Sequence, residues 1–423
     1  MTKTKNNRAL PIAMMFALFF IIAFVTGLQN PMGVIIKSQF SASNLQSQLG
    51  NLANFIAYAF MGIPAGLMLQ RIGYRKTALT AVAVGLAGVC VMWAAGRTGS
   101  YAAYLAGAFV SGFSMCMLNT VVNPMLQSLG ANEKKGNQLI QFGTTFNSLG
   151  ATLTPILVGY LMGNEASARS IADANPALYL AMGIFVLAFV VLFFTDIPEP
   201  YLKATDGKRT KMYNPLRFRH FSLGVAAIFL YVGIEVGIPN IANLYMTDAL
   251  DMEASAAGTV VGTYWLLMLF GRLIGGAVGG RVSGRAMLVF AAALGLLFIG
   301  LFIGLQHVPT TVPLPVFRSD LTFGAEPVRL SLLFLILCGA ATSVMWGAIF
   351  SLATSGLGIY TATASGIFMT MVCGGGIMPA VQAWIADRTS YPFSYLLVAA
   401  SFAYLLFYAL RGSRTAGDLP AGK

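Results

Sequence analysis

Few residues in this chain could do chemistry, and one of them is a carboxylate in a costly place. Glu235 lies near the middle of an apolar run from Phe221 to Leu244, within Tyr231-Val232-Gly233-Ile234-Glu235-Val236-Gly237-Ile238-Pro239-Asn240. A run of that length can cross a bilayer as a helix, which takes about 20 residues. The chain has 14 acidic residues, and the others fall in loops or at the ends of apolar runs. A carboxylate at the centre of a membrane helix costs about 2.5–3.5 kcal/mol on insertion scales. Gly233, Gly237 and Pro239 weaken the helix around it. Such breakers are tolerated where neighbours or a wet cavity satisfy the freed backbone groups. Glu235 therefore either faces a polar cavity and meets a solute, a proton or both, or sits protonated in a packing hydrogen bond.

The other polar groups in the apolar runs are mostly amides: Gln29, Asn30, Asn51, Asn54, Asn119, Asn123, Gln141, Asn147, Asn240, Asn243 and Gln382. An amide both donates and accepts, which suits a neutral polyol. Asn119 and Asn123 are four apart and share one helix face. Trp265, Trp346, Tyr231 and Tyr264 offer flat faces for stacking. A few placed polar groups among aromatic ones are the expected lining of a small-ligand site. A single amide can equally serve as an interhelical hydrogen bond, and that reading is preferred for Asn51, Asn54 and Gln382. Asn30, Asn119 and Asn147 fall near midplane depth and are read as site residues. Arg272, in the inner third of its run, is read as structural, its long side chain reaching back toward the cytoplasm. Lys37 is read as an interface anchor.

Other chemistries lack their parts. The two histidines, His220 and His307, lie near loops, and Cys90, Cys116, Cys338 and Cys373 have neither disulfide nor zinc-site spacing. No metal, cofactor or enzymatic activity is expected.

The elements that must position these residues are membrane helices. The chain is 57% hydrophobic and 9% charged, against about 25% charged in soluble domains. The apolar runs predict spans at 10–36, 44–70, 77–96, 101–129, 137–162, 176–195, 221–247, 256–280, 286–305, 328–355, 362–386 and 391–410. The predicted fold is all-α and integral to the membrane, with twelve transmembrane helices in two six-helix bundles related by pseudo-two-fold symmetry. The bundles are residues 1–195 and 221–410, joined by a basic linker at 196–220 and followed by a polar, disordered tail at 411–423. The loop from Gln306 to Pro327 is Pro-rich and is expected to be irregular. The run from Ala9 to Ile36 is too long for a signal peptide. With both termini cytoplasmic, only Lys37, Arg97, Arg169, Arg318, Arg329 and Arg388 of the 26 Lys and Arg residues fall outside. That is the positive-inside bias, which explains the net charge of +12 without a nucleic-acid partner.

The halves repeat one another. Span two ends Gly66-x3-Gln70-Arg71-Ile72-Gly73-Tyr74-Arg75-Lys76 and span eight ends Gly276-x3-Gly280-Arg281-x2-Gly284-Arg285. Span five carries Gly150-x4-Pro155 and span eleven Gly374-x4-Pro379. Spans one and seven then correspond, which sets Gln29, Asn30 and Pro31 opposite Glu235. The short turn at Arg71–Lys76 reads as a gate or hinge whose arginines can pair with carbonyls at a helix C-terminus. The spaced Gly and Pro residues read mainly as close helix packing.

With these elements in place, the chain resembles the major facilitator superfamily, and within it the fucose–galactose–glucose permease branch. The basic turn after span two is similar to the superfamily's signature loop, with Gln70 where an Asp is usual. Further resemblance lies in Ile63-Pro64-Ala65-Gly66, Asn123-Pro124, Thr145-Phe146-Asn147-Ser148-Leu149-Gly150-Ala151, Tyr231-Val232-Gly233-x-Glu235, Tyr264-Trp265 before Gly271-Arg272, Ile349-Phe350-Ser351-Leu352 and Gly374-Gly375-Gly376-Ile377-x-Pro379. It implies proton-coupled sugar uptake across a bacterial inner membrane by alternating access, by a monomer in the bilayer. It implies that Asn147 and Trp346 contact the sugar; with the amides and aromatic residues named above, the expected substrate contacts are Gln29, Asn30, Asn119, Asn123, Asn147, Tyr264, Trp265 and Trp346. Arg71, Arg75, Arg272 and Arg281 are the expected gating or structural groups. The fucose-transporting members carry carboxylates where Asn30 and Asn119 stand here, so Glu235 is left to couple any proton. An acidic-sugar or organic-anion carrier and an uncoupled facilitator are the alternatives.

Overall fold

The computed structural model describes residues 9–28, 32, 35–36, 39–41, 44–162, 170–195, 197–199, 211–317 and 322–415. The chain divides into two compact units, Met1–Pro215 with Leu357–Thr370, and Leu216–Gly356 with Met371–Lys423. The segment Leu357–Thr370 comes from the second half of the sequence but packs with the first unit.

The first unit contains α1 (Ala9–Gly27), α2 (Asn44–Thr98), α3 (Tyr101–Leu129), α4 (Glu133–Met162) and α5 (Asn175–Phe194). The expected second and third spans are one helical run, α2, broken at Gly73. There φ is 80° and ψ −177°, a backbone conformation that a side chain would strain. The break exposes the first N–H groups of the helix that follows. The carboxylate of Glu199, from the segment after α5, accepts from Tyr74 N at 2.8 Å and Arg75 N at 2.9 Å. Those are donors that a helix start cannot satisfy internally. The Arg75 guanidinium in turn donates to the carbonyls of Leu192 and Phe193 in the last turn of α5, where the helix dipole favours a cation. Burial pushes the Glu199 carboxyl above its ordinary range, opposed by these two N–H donors and by the charges of Arg75 and Lys76. Arg71 is exposed on the same turn.

The second unit contains α6 (Arg219–Leu244), α7 (Ala254–Val278), α8 (Gly284–Gly304), strands β1 (Thr311–Phe317) and β2 (Phe323–Arg329), α9 (Leu330–Thr342), α10 (Met345–Thr354), α12 (Gly374–Arg388) and α13 (Tyr391–Phe407). Helix α11 (Thr361–Thr370) is the piece that belongs to the first unit. Spans ten and eleven are thus each broken in two. Helices α9 and α10 meet at a 40° bend, and a 3-10 turn at Met371–Cys373 separates α11 from α12.

The units carry matching local devices. Arg285, the counterpart of Arg75 in the repeat, donates to Ser413 O just past the last helix, at 3.5 Å. A Cβ at Gly150 would stand 2.7 Å from Phe20 O, and one at Gly374 would stand 2.2 Å from Phe229 O. Both glycines let two backbones meet where a methyl group would not fit. Arg281 is exposed, one turn before Arg285.

Three expectations change. Among the described residues, nine helices are long and apolar enough to span a membrane, or ten with the bent pair counted as one. The shortfall from twelve has local causes. One of the nine, Leu49–Thr98, contains the Gly73 break and holds two expected spans. The expected fifth span corresponds to α4, whose first half is polar. The loop expected to be irregular is an antiparallel hairpin in which Pro313 faces Pro327 and Pro315 faces Ala325. All three prolines share one parity, so their missing donors fall at alternate ladder positions. The opposite parity puts Leu314, Val316 and Val328 inward, each at most 4% exposed. Last, the chain stays helical through Gly412, past the expected start of the tail; residues 416–423 lie outside those described.

The Glu199 contact predicts a stability effect. Glu199→Ala should lower stability by about 1 kcal/mol, the usual worth of a lost helix N-terminal cap, with Glu199→Gln retaining part of it. Thermal unfolding of the purified protein in detergent measures both.

Candidate functional site

Glu235 does not stand alone. Its Oε1 meets Nη2 of Arg272 at 2.5 Å, across α6 and α7, with the two side chains 12% and 7% exposed. This corrects the reading of Arg272. Its guanidinium is on the carboxylate rather than at the membrane surface, because a buried opposite charge outweighs a long reach through lipid. Removing one partner of such a pair costs about 3–5 kcal/mol, because the other charge stays buried.

The backbone around Glu235 explains its neighbours. Within an α-helix the carbonyl of residue i accepts from the N–H of residue i+4. Pro239 has no N–H, so the Glu235 carbonyl loses its helical donor. The hydroxyl of Tyr264 on α7 supplies one, donating to Glu235 O at 3.2 Å, and lies 3.1 Å from Thr342 Oγ1 at the end of α9. Tyr264 is fully buried. It is therefore a cap on a proline-broken helix, not the stacking platform expected from its type. The first unit repeats the device: Pro124 deprives Thr120 of a donor, and Ser365 Oγ donates to Thr120 O at 3.1 Å.

Tyr231 lies one turn before Glu235 on α6 and is completely buried. Its phenol lies beside both the carboxylate and the guanidinium, within side-chain hydrogen-bonding reach of each. Trp346, at the start of α10 and 9% exposed, sets its ring edge-on to Tyr231 with centroids 6.3 Å apart. Trp265 lies edge-on to Tyr264 and is 37% exposed. In this unit the structure gathers Glu235, Arg272, Tyr231, Tyr264 and Trp346.

In the first unit, Asn119 Nδ2 donates to Tyr58 OH at 3.0 Å and to Met115 O at 3.2 Å. Asn123 Nδ2 donates back to Asn119 O at 2.9 Å. Asn147 is half-buried and donates to Phe19 O at 3.0 Å, tying α4 to α1. Gln29 and Asn30 lie outside the described residues. The amide nitrogens of Asn54 and Gln382 make no hydrogen bond, so the interhelical bonds expected of them are not formed there. Sequence reading missed the Glu235–Arg272 pair. The signal for the Tyr264 cap was Pro239 itself, four residues after Glu235.

A polytopic bundle of apolar helices, broken at several levels and holding an internal ion pair, is the architecture of a membrane carrier. The chain belongs to the Major Facilitator Superfamily, whose sequence profile matches residues 15–380. It is 28% identical over 423 residues to a glucose/galactose transporter of Brucella abortus biovar 1 (strain 9-941), covering 98% of this chain and 97% of that protein. It is 24% identical over 435 residues to an L-fucose-proton symporter of Escherichia coli (strain K12), covering 96% and 94%. The fold matches the superfamily transporter FucP in its outward conformation, with a TM-score of 0.79 and 21% identity over 96% of this chain and 99% of that one. The proton:xylose symporter XylE gives a TM-score of 0.70 at 13% identity, over 96% and 95%.

Tyr264→Phe and Ser365→Ala should each strand a buried carbonyl. Each is expected to cost about 1–3 kcal/mol, read as a lowered unfolding temperature in detergent. Tyr179→Phe, at an exposed pair with Trp93, should leave it unchanged.

Proposed function

We propose that this protein is a secondary transporter that imports a hexose-type sugar by alternating access, coupled to a proton at Glu235. The observation that carries the reading is the Glu235–Arg272 pair inside apolar helices. Glu235 can gain and lose a proton, whereas Arg272 keeps its charge. Ionised, Glu235 ties α6 to α7 with no net charge. Protonated, it gives up that tie and leaves the site with the charge of the arginine. A proton can therefore bias a conformational equilibrium, because the two protonation states stabilise different arrangements.

The relatives named as glucose/galactose and fucose carriers support a sugar as the solute. Asn119, Asn123 and Asn147 in one unit, and Trp265 and Trp346 in the other, are the proposed sugar contacts, with Gln29 and Asn30 as further ones. Arg71, Arg75 and Arg281 are proposed to act at the cytoplasmic turns. The proposed setting is a bacterial inner membrane, both termini cytoplasmic, the protein working as a monomer. An acidic-sugar carrier would need a cation facing the solute, but Arg272 is already neutralised by Glu235. The pair thus suits a neutral solute.

In proteoliposomes, an inward proton gradient should drive accumulation of labelled glucose, galactose or fucose. Glu235→Gln should abolish that accumulation while leaving equilibrium exchange of the sugar within a few-fold. Uptake indifferent to the gradient and to Glu235→Gln would instead mark an uncoupled facilitator. Uptake of glucuronate that needs Arg272 would mark an anion carrier.

A further inference from the structure

Asn119 and Tyr58 form a buried pair in the first unit whose hydrogen bonds can be directed atom by atom. The Asn119 amide nitrogen stands 3.2 Å from Met115 O, one turn earlier on α3. A carbonyl only accepts, so the nitrogen of the amide, not its oxygen, must face it. The same nitrogen stands 3.0 Å from the Tyr58 hydroxyl on α2. Both N–H groups of the amide are thereby used, one on Met115 O and one on the Tyr58 oxygen. The Tyr58 hydroxyl therefore accepts from Asn119, and its own proton points elsewhere. Among the described residues no acceptor stands in reach of that proton. The Asn119 amide oxygen is lightly used, with Asn123 Nδ2 at 3.5 Å, and keeps a lone pair.

Packing fixes this pair and leaves a gap at it. Gly112 brings α3 onto α2, since a Cβ there would stand 2.7 Å from Asn54 O, one turn before Tyr58. From Ser114 to Val122 every residue is completely covered except Asn119, which is 6% exposed, and Tyr58 is 5% exposed. Along this stretch α3 is thus open at Asn119 alone. We infer, on the sugar-transport reading above, that Tyr58 is a specificity-determining residue which, together with Asn119, holds one hydroxyl of the sugar. The Tyr58 O–H donates to the sugar oxygen, and the sugar O–H donates to Asn119 Oδ1. A hydroxyl meets both demands at a single atom. An analogue lacking it leaves a buried donor and a buried acceptor without partners, and a site built for a hydroxyl rejects such analogues. The neutral side chain at 119 is part of the device. A carboxylate there has no N–H to give and would take the Tyr58 proton for itself, whereas the amide leaves that proton for the solute.

The test is calorimetric binding of glucose, galactose and fucose, and of their monodeoxy analogues, to the purified wild-type protein and to Tyr58→Phe. The variant should bind the parent sugar about tenfold more weakly, the worth of one hydrogen bond. The penalty for removing one particular sugar hydroxyl should shrink by the same factor, while the penalties at the other carbons stay, because only groups in contact are non-additive. Asn119→Asp should shrink the penalty at the same carbon. A tyrosine that serves only packing would weaken the parent sugar and every analogue alike. The wild-type protein gives a readout that needs no variant to fold. Infrared difference spectra on adding sugar, with isotope-labelled tyrosine, should show a tyrosine C–O band that moves with the parent sugar and not with that one deoxy analogue. Unchanged penalties at every carbon in folded Tyr58→Phe, or no tyrosine band with a sugar that binds, overturns the inference and leaves the sugar carrier standing. If none of the three sugars binds the wild-type protein, the sugar reading falls and the role of Tyr58 falls with it.

Discussion

The ion pair between Glu235 and Arg272 is the constraint around which the second unit is arranged. Neither charge would be tolerated alone among helices of this hydropathy. Each makes the other admissible, and together they fix the rotation of α6 against α7. The breaks gather around the same place. Pro239 opens α6 just past the carboxylate, and the bend between α9 and α10 puts Thr342 against Tyr264 and Trp346 against Tyr231. Irregular backbone inside a membrane persists only where donors and acceptors can be matched. The Tyr264 hydroxyl is the donor that makes Pro239 affordable.

That solution recurs. Pro124 and Pro239 each orphan a carbonyl four residues back, and each carbonyl takes a hydroxyl from another helix. Arg75 reaches backbone carbonyls in the last turn of α5, and Arg285 reaches the backbone just past α13. Gly150 and Gly374 each admit a neighbouring backbone at the same step of the repeat. These are correspondences of physical task, not only of letters, and they are what a duplicated bundle retains when most other residues have diverged.

Much of this was legible in the sequence, for identifiable reasons. Helix length and hydropathy are local, so the spans and the cost of Glu235 could be read directly. The arginine turn was readable because Gly73 and its basic neighbours are contiguous. The partner of Glu235 was not, since Arg272 is 37 residues away. The snorkelling rule weighs distance to the membrane surface and ignores a carboxylate approaching from another helix. The hairpin was misread because its prolines were counted as breakers. Their spacing, always on the parity opposite Leu314, Val316 and Val328, was the better signal. Tyr264 was mistaken for a ligand platform because aromatic type says nothing about where a hydroxyl is needed. The proline four residues after Glu235 did say that a donor was required, though not from which helix.

On the proposed reading, one acid coupled to one arginine also accounts for why a neutral solute would travel with the proton. The ionised pair has no net charge, and the protonated site has a charge of plus one, which apolar surroundings penalise. Anything that offers lone pairs to the guanidinium at that moment lowers the penalty. The hydroxyl oxygens of a sugar do so without adding a charge of their own, whereas an anion would compete with Glu235 for the same cation even before protonation. Protonation and sugar binding would then each favour the other by the same free energy, as linkage requires. Coupling would therefore follow from keeping the immediate surroundings of the pair uncharged as much as from the acid itself.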